Sequence, residues 1–314
     1  MRTLRHRLAA GAAATTVLGL TVACGRNVPK EAPPSAAEHV AAVEAWRAKH
    51  EADYRREWVT ISGLHPLESG SASAGSGPTN DIVLPPSTPA TLGRFVLQGS
   101  QVRFEPAPGA KVLLDDQPVS TAIDLHDDRA PNGADELVVG DVRLVVHVSG
   151  VSRSIRVRDP NGPLATGFLG FTWFPIDLQY RVVGRFIRDS EPRRVKVLNT
   201  FGDVDEYTSE GVVEFSLLGQ TLRLRPFTTR PKRFYFVFRD ASSGEESYEA
   251  ARFLYTDLLD DGTTVLDFNQ AYNPPCAFNP YTTCPIPLRE NNLPVKILAG
   301  EKAYPVKVPF PGAS

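Results

Sequence analysis

The densest grouping of polar and reactive side chains in this 314-residue chain lies between Tyr248 and Lys302. It holds Tyr248, Arg252, Asp267, Asn269, Tyr272, Asn273, Asn291, Asn292 and Glu301, with Cys276 and Cys284 among them. An arginine surrounded by amides and carboxylates suits a polar or anionic small molecule, because its planar fork of donors matches carboxylate or phosphate oxygens. Tyr248, Arg252, Asn269, Tyr272 and Asn273 are therefore the candidate binding residues. Asp267 and Glu301 are candidates for a general acid and base. Cys276 is the candidate nucleophile; a thiolate needs a neighbouring base or cation. No histidine is near Cys276 in sequence, and His147 is one that could approach it in space.

The same residues admit a structural reading. Residues 267–287 form a rigid Pro- and Cys-rich loop, with four prolines and two Asn-Pro steps between 267 and 285. Such a loop has few ladder hydrogen bonds, so buried amide side chains are expected to satisfy its backbone. Cys276 and Cys284 stand eight positions apart. In an exported protein the expectation is that they pair, closing a small loop worth ~2–3 kcal/mol. Free thiols are the alternative.

Export is read from the first residues. Arg2, Arg5 and Arg7 precede an uncharged apolar run from Leu8 to Ala23, the layout of a signal peptide over 1–23. The run is 16 residues, short for a membrane span. Leu20-Thr21-Val22-Ala23-Cys24-Gly25 resembles the lipobox of bacterial lipoproteins, with Thr21 where Leu is commonest. That resemblance makes Cys24 the lipidation site and 24–38, with its prolines, a tether to the membrane. The expected location is the bacterial cell envelope, lipid-anchored, with a secreted or periplasmic protein as the alternative.

Charge and composition exclude several classes. Charged residues are 22% of the chain and the hydrophobic set 42%, so the chain as a whole is not disordered. The net charge of −2 becomes −5 once residues 1–23 leave, since they take three Arg and no acids. A nucleic-acid partner is not expected. Three Cys and six His, the latter scattered in sequence, give no metal-ligand spacing, and no metal or cofactor is expected. P-loop, dinucleotide-loop, GxSxG and HExxH patterns are missing. Nothing in the sequence sets an oligomeric state.

The elements that must position the C-terminal group follow from periodicity. Val43, Trp46, His50 and Tyr54 recur at helical spacing between charged positions, which predicts an amphipathic helix over 39–58. Beyond it, short alternating runs bounded by Gly, Pro, Asp and Asn predict strands near 59–62, 81–84, 93–97, 102–105, 111–114, 136–139, 142–148 and 154–158. A second set is predicted at 180–188, 193–198, 212–218, 221–226, 233–239, 265–268 and 293–298. The fold class is mainly β: the helix, a β-sandwich-like unit over 59–160 and a second β-rich unit over 161–310.

Two resemblances bear on this. Gly75-Ser76-Gly77-Pro78-Thr79-Asn80-Asp81-Ile82-Val83-Leu84-Pro85 and the strands after it resemble the opening of a forkhead-associated domain, a phosphothreonine-binding β-sandwich. The arginine expected before the first glycine and the following Ser-x-x-His are both absent, so the resemblance implies sandwich topology without the phosphate contacts. The block DFNQAYNPPCAFNPYTTCP over 267–285 resembles a widespread prokaryotic family of unknown function with a DFN-x-AYNPPCAF-x-PY-x-TCP signature. With the GSGPTNDIVLP stretch and the aromatic GFTWFP element at 170–175, that resemblance spans residues 40–305. It implies a β-rich fold and a shared centre around the block, and no activity. The expected function is a lipid-anchored binding or interaction module for a polar or anionic small molecule. A hydrolase using carboxylate or thiol chemistry is the alternative.

Overall fold

The computed structural model describes residues 34–307. The expected signal segment 1–23, Cys24 and most of the expected tether over 24–38 lie outside the described residues. Helix α1 (Ala36–Glu57) begins three residues earlier than the spacing predicts and buries His39, Val43 and Tyr54. Its outer face carries the i,i+4 pairs Lys49–Asp53 and Glu51–Arg55, worth a few tenths of a kcal/mol each. Among the described residues no helix is long and apolar enough to cross a membrane.

Two antiparallel-rich sheets follow the helix. One is ordered β1-β11-β10-β9-β6-β7. Its strands are β1 (Ile61–Pro66), β6 (Leu113–Leu114), β7 (Gln117–Pro118), β9 (Glu136–Val139), β10 (Val142–Ser149) and β11 (Ser152–Arg158). The other is ordered β3-β2-β4-β5-β8. It contains β2 (Gly70–Gly75), β3 (Ile82–Val83), β4 (Gly93–Gln98), β5 (Gln101–Pro106) and β8 (Ile123–Leu125). Their inner faces enclose one apolar cluster that includes Phe95, Phe104, Leu137, Leu144 and Ile155, so this part is a β-sandwich. Strand β2 was not legible in the sequence because Gly-Ser-Ala-Ser-Ala-Gly has low strand propensity. Its backbone is used for close approach instead. A Cβ at Gly75 would lie 2.3 Å from the Ala90 carbonyl oxygen.

The second set contains a four-stranded sheet ordered β14-β13-β12-β18. Here β12 is Arg181–Leu198, β13 Val204–Leu217, β14 Gln220–Leu224 and β18 Thr263–Asp267. A three-stranded sheet joins β15 (Phe227–Arg230), β16 (Arg233–Phe238) and β17 (Arg252–Asp257) in that order. The strands predicted at 180–188 and 193–198 are one strand, β12. Its register against β13 shifts between Arg188 and Arg193, where Pro192 has no N–H to give the ladder. The strand predicted at 293–298 does not form. Leu293, Val295, Ile297 and Ala299 are buried in alternation, yet Pro294 cannot donate and the carbonyls of Ile297 and Ala299 accept from Arg252 instead of a neighbouring strand.

The described residues from Ala36 onward cluster as one compact unit. Its third apolar cluster brings Tyr54 of α1, Phe227, Tyr235, Val237 and Phe253 of the three-stranded sheet, and Tyr272, Cys276, Phe278 and Cys284 of the Pro-rich loop together. Phe171 and Trp173 of the aromatic element pack around His50 in the same place.

Candidate functional site

Built from its residues upward, the loop over 267–287 is a packed structural centre. Asn269 is fully buried; its Nδ2 donates to the Asp177 carbonyl and to Asp267 Oδ1, both at 2.9 Å, and its Oδ1 accepts from the Asp177 N–H. The Asn273 N–H and Nδ2 each donate to Glu301 at 2.8 Å. Asn279 Nδ2 reaches the carbonyls of Trp58 and Ile61, tying the loop to the end of α1 and the start of β1. Asn291 bridges Arg225 and Val237. These amides stand in for the ladder bonds a proline-rich loop cannot make.

Arg252 is sealed inside this centre. Its Nη1 donates to Asp240 Oδ2 at 2.7 Å and to the Ile297 carbonyl, and Nη2 donates to the Ala299 carbonyl. It has no exposed surface, so a ligand would have to unfold this region to meet it. Glu301 is equally enclosed, and burial pushes its carboxyl up to about 8 against the opposing hydrogen bonds from Asn273. Tyr248 is half-buried and its hydroxyl faces the Cys276 carbonyl and Sγ at 3.4 and 3.7 Å.

The expected disulfide is corrected: Cys276 and Cys284 are both free and buried. The Cys276 backbone N–H donates to Cys284 Sγ at 3.3 Å, so that sulfur acts as a hydrogen-bond acceptor for the Pro-Cys turn instead of a bonding partner for Cys276 Sγ. Burial pushes the Cys276 thiol well up, with Cys284 adding to the effect. A thiol held protonated is a poor nucleophile.

Two clefts do open beside this centre, and they share Tyr255 and Tyr272. The first, about 490 Å³, lies between α1 and strands β12, β16, β17 and β18. Trp46, His50, Tyr255 and Tyr272 supply rings, and Arg181, Arg233, Asp257 and Asp267 supply charge. Arg233 is paired with Asp257 at 2.8 Å. Asp267 accepts from His39 Nε2 at 2.7 Å through Oδ2 and from Asn269 through Oδ1. Burial lowers His50 to about 4, so its ring is neutral at neutral pH. Arg181 is the cation of this cleft without a carboxylate partner among the described residues. Of the candidates read from sequence, Asp267 and Tyr272 line the cleft; Arg252, Asn269, Asn273, Glu301 and Cys276 do not.

The second cleft, about 430 Å³, is lined by Tyr54, Trp58, Tyr207, Tyr235, Phe253, Thr283 and Cys284 among others, and carries no charged side chain. At its Thr283 end stands His147 of β10. Its Nε2 lies 3.0 Å from Thr283 Oγ1 and its Nδ1 lies 2.5 Å from Asp128 Oδ2. Asp128, Thr283 and Arg181 had no signal in sequence, because strand pairing and loop packing set their surroundings. His147 does approach the loop as the sequence allowed, and it meets Thr283, the neighbour of Cys284, and not Cys276.

Residues 166–302 match a family described as Protein of unknown function (DUF1684). This segment is similar to an uncharacterised domain family. The match takes in the second set of strands and the Pro-rich loop, a shorter span than the residues 40–305 expected from the sequence. An uncharacterized protein of Haloarcula marismortui, solved by solution NMR, is 30% identical with a TM-score of 0.38, over 46% of this chain and 82% of that one. A phosphothreonine-dependent FHA domain is 18% identical with a TM-score of 0.21, over 30% of this chain and 92% of its own. Mycobacterium tuberculosis EmbR, in complex with a low-affinity phosphopeptide, is 16% identical with a TM-score of 0.21, over 40% of this chain and 32% of its own. No curated protein matches the chain.

Proposed function

We propose that this protein is a lipid-anchored envelope protein that binds a small aromatic anion in the cleft beside Asp267. The observation that carries the reading is Arg181. Each other charged group of that cleft has a partner within the fold, which leaves one guanidinium facing a cavity of about 490 Å³. A volume of this order fits a small ligand, and an unpaired guanidinium selects a carboxylate or phosphate. Trp46 and Tyr255 supply ring faces for a planar body. The lipid anchor rests on the Arg2–Arg7 basic start, the apolar run and Cys24.

The test is titration with salicylate and adenosine 5′-monophosphate, followed by calorimetry and by tryptophan fluorescence, in the wild type and in Arg181→Gln. Saturable binding weakened at least tenfold by the substitution supports the reading. Equal affinity in both proteins, or no binding of either probe, overturns it.

A further inference from the structure

The second cleft has a different chemistry from the anion site, and the geometry points to an activity there. We propose that Asp128, His147 and Thr283 form a hydrolytic triad that cleaves uncharged esters with an aromatic or long acyl group.

Each part of the relay is fixed by its own contacts. An ionised carboxylate only accepts, so the bond at 2.5 Å to Asp128 Oδ2 places the ring proton of His147 on Nδ1. Nε2 then presents its lone pair, and Thr283 Oγ1 donates to it at 3.0 Å. Burial works against the Asp128 charge, but the bonds from His147 and the Val148 N–H, with Arg156 nearby, outweigh it and hold the carboxyl below its usual range. Burial also lowers His147, with Asp128 opposing and Arg156 adding to the effect, so the ring is a neutral base at neutral pH. The Val148 N–H reaches Asp128 Oδ1 at 3.0 Å and Arg156 Nη1 lies 3.4 Å from Oδ2, which orients the carboxylate. Thr283 is held from the other side. The Cys284 N–H donates to Thr200 Oγ1 at 3.1 Å, and the Cys284 carbonyl accepts from the Thr200 N–H at 3.0 Å. This is the order carboxylate, imidazole, hydroxyl that activates an alcohol as nucleophile, with the hydroxyl at a cleft and the other two groups behind it.

The substrate class follows from the walls. Tyr54, Trp58, Tyr207, Tyr235 and Phe253 offer ring surface and no charge. Tyr207 lines the same cleft, and burial raises it to about 12, so its phenol is uncharged there at neutral pH.

In the first step Thr283 Oγ bonds to the ester carbonyl carbon as its proton passes to His147 Nε2. The bond from that carbon to the alcohol oxygen breaks, and Nε2 returns the proton to the leaving oxygen. Water then gives a proton to Nε2 while its oxygen bonds to the acyl carbon. The acyl–Thr283 bond breaks and Nε2 returns the proton to Oγ. The net change is ester plus water to acid plus alcohol, with no redox step.

The experiment uses the full mature chain and 4-nitrophenyl acetate, butyrate and octanoate, with phenylmethylsulfonyl fluoride as a covalent probe read by peptide mass spectrometry. The expected result is turnover that falls at least 100-fold in Thr283→Ala and in His147→Gln and returns in Thr283→Ser, with the sulfonyl label on residue 283. Circular dichroism and melting curves matching the wild type establish that the variants fold. Turnover unchanged in Thr283→Ala, or a label found elsewhere, overturns the proposal. So does a wild type with neither turnover nor label, since Thr283, His147 and Asp128 then serve only to hold the loop. Anion titration and ester turnover are separate readouts, so failure of the anion site and failure of the triad are separable.

Discussion

Arg252 Nη1 and Asp240 Oδ2 meet at 2.7 Å with neither side chain exposed, and the same guanidinium holds the carbonyls of Ile297 and Ala299. One cation thus joins β17, the turn after β16 and the extended segment that follows the Pro-rich loop. Removing one partner of a buried pair leaves the other charge without compensation, at about 3–5 kcal/mol. Arg252→Ala is expected to lower stability by that amount in urea melts, and Arg252→Lys to recover little because a single ammonium lacks the fork. A variant within 1 kcal/mol of wild type, on the order of a surface change, contradicts the role assigned to Arg252.

Glu301 gives the fold a pH dependence of known sign. Its carboxyl is raised from 4.5 to about 8 by burial, so the folded state holds a proton that the unfolded chain releases. The resulting stability is fully present below pH 4.5 and is lost as pH rises through about 8. Melting temperatures of the wild type are expected to fall between pH 6 and pH 8.5 more steeply than those of Glu301→Gln, which has no proton to lose in that range. Parallel curves for the two proteins would exclude Glu301 as the source.

The cysteines are testable by chemistry alone. Cys276 is 3% exposed and Cys284 2%, and both are thiols. Without reductant, iodoacetamide is expected to leave the native protein unmodified within an hour and to add two carbamidomethyl groups to residues 276 and 284 in guanidinium. No uptake in guanidinium without reductant, followed by two groups after it, would mean the pair is oxidised.

Asn279 binds the loop to the end of α1 and to β1 through two carbonyls, and its own Oδ1 caps the Tyr281 N–H. Asn279→Ala leaves these buried groups unpaired and is expected to cost about 2–4 kcal/mol. Hydrogen exchange should then speed up near Trp58 and Ile61 before it does in β5 or β10. A uniform increase across the protein would argue against a local clasp.

The proposed lipid anchor has its own measurement. Cys24→Ser is expected to move the protein from the membrane fraction to the soluble fraction of cells that export it. Continued firm attachment would point to the apolar run as a span.

By itself the sequence determined the periodic parts. Spacing of Val43, Trp46, His50 and Tyr54 marked the helix, and alternation marked strands such as β5 and β9, because burial on one face imposes a period that neighbours in sequence display. The Pro-rich loop and its amides were also legible as a place of unusual backbone need. Two things escaped it. Whether a polar residue of the loop faces a cleft or the core depends on partners 28 to 228 positions away, as with Asn273 and Glu301 or His39 and Asp267. The alignment of Asp128, His147 and Thr283 depends on β10 and on β12 holding the loop beside it, and no local pattern encodes a distance between segments 136 residues apart. The tertiary structure therefore decided that the signature block is largely packed support, and that two clefts open at its margin, one lined by Arg181 and the other by Thr283.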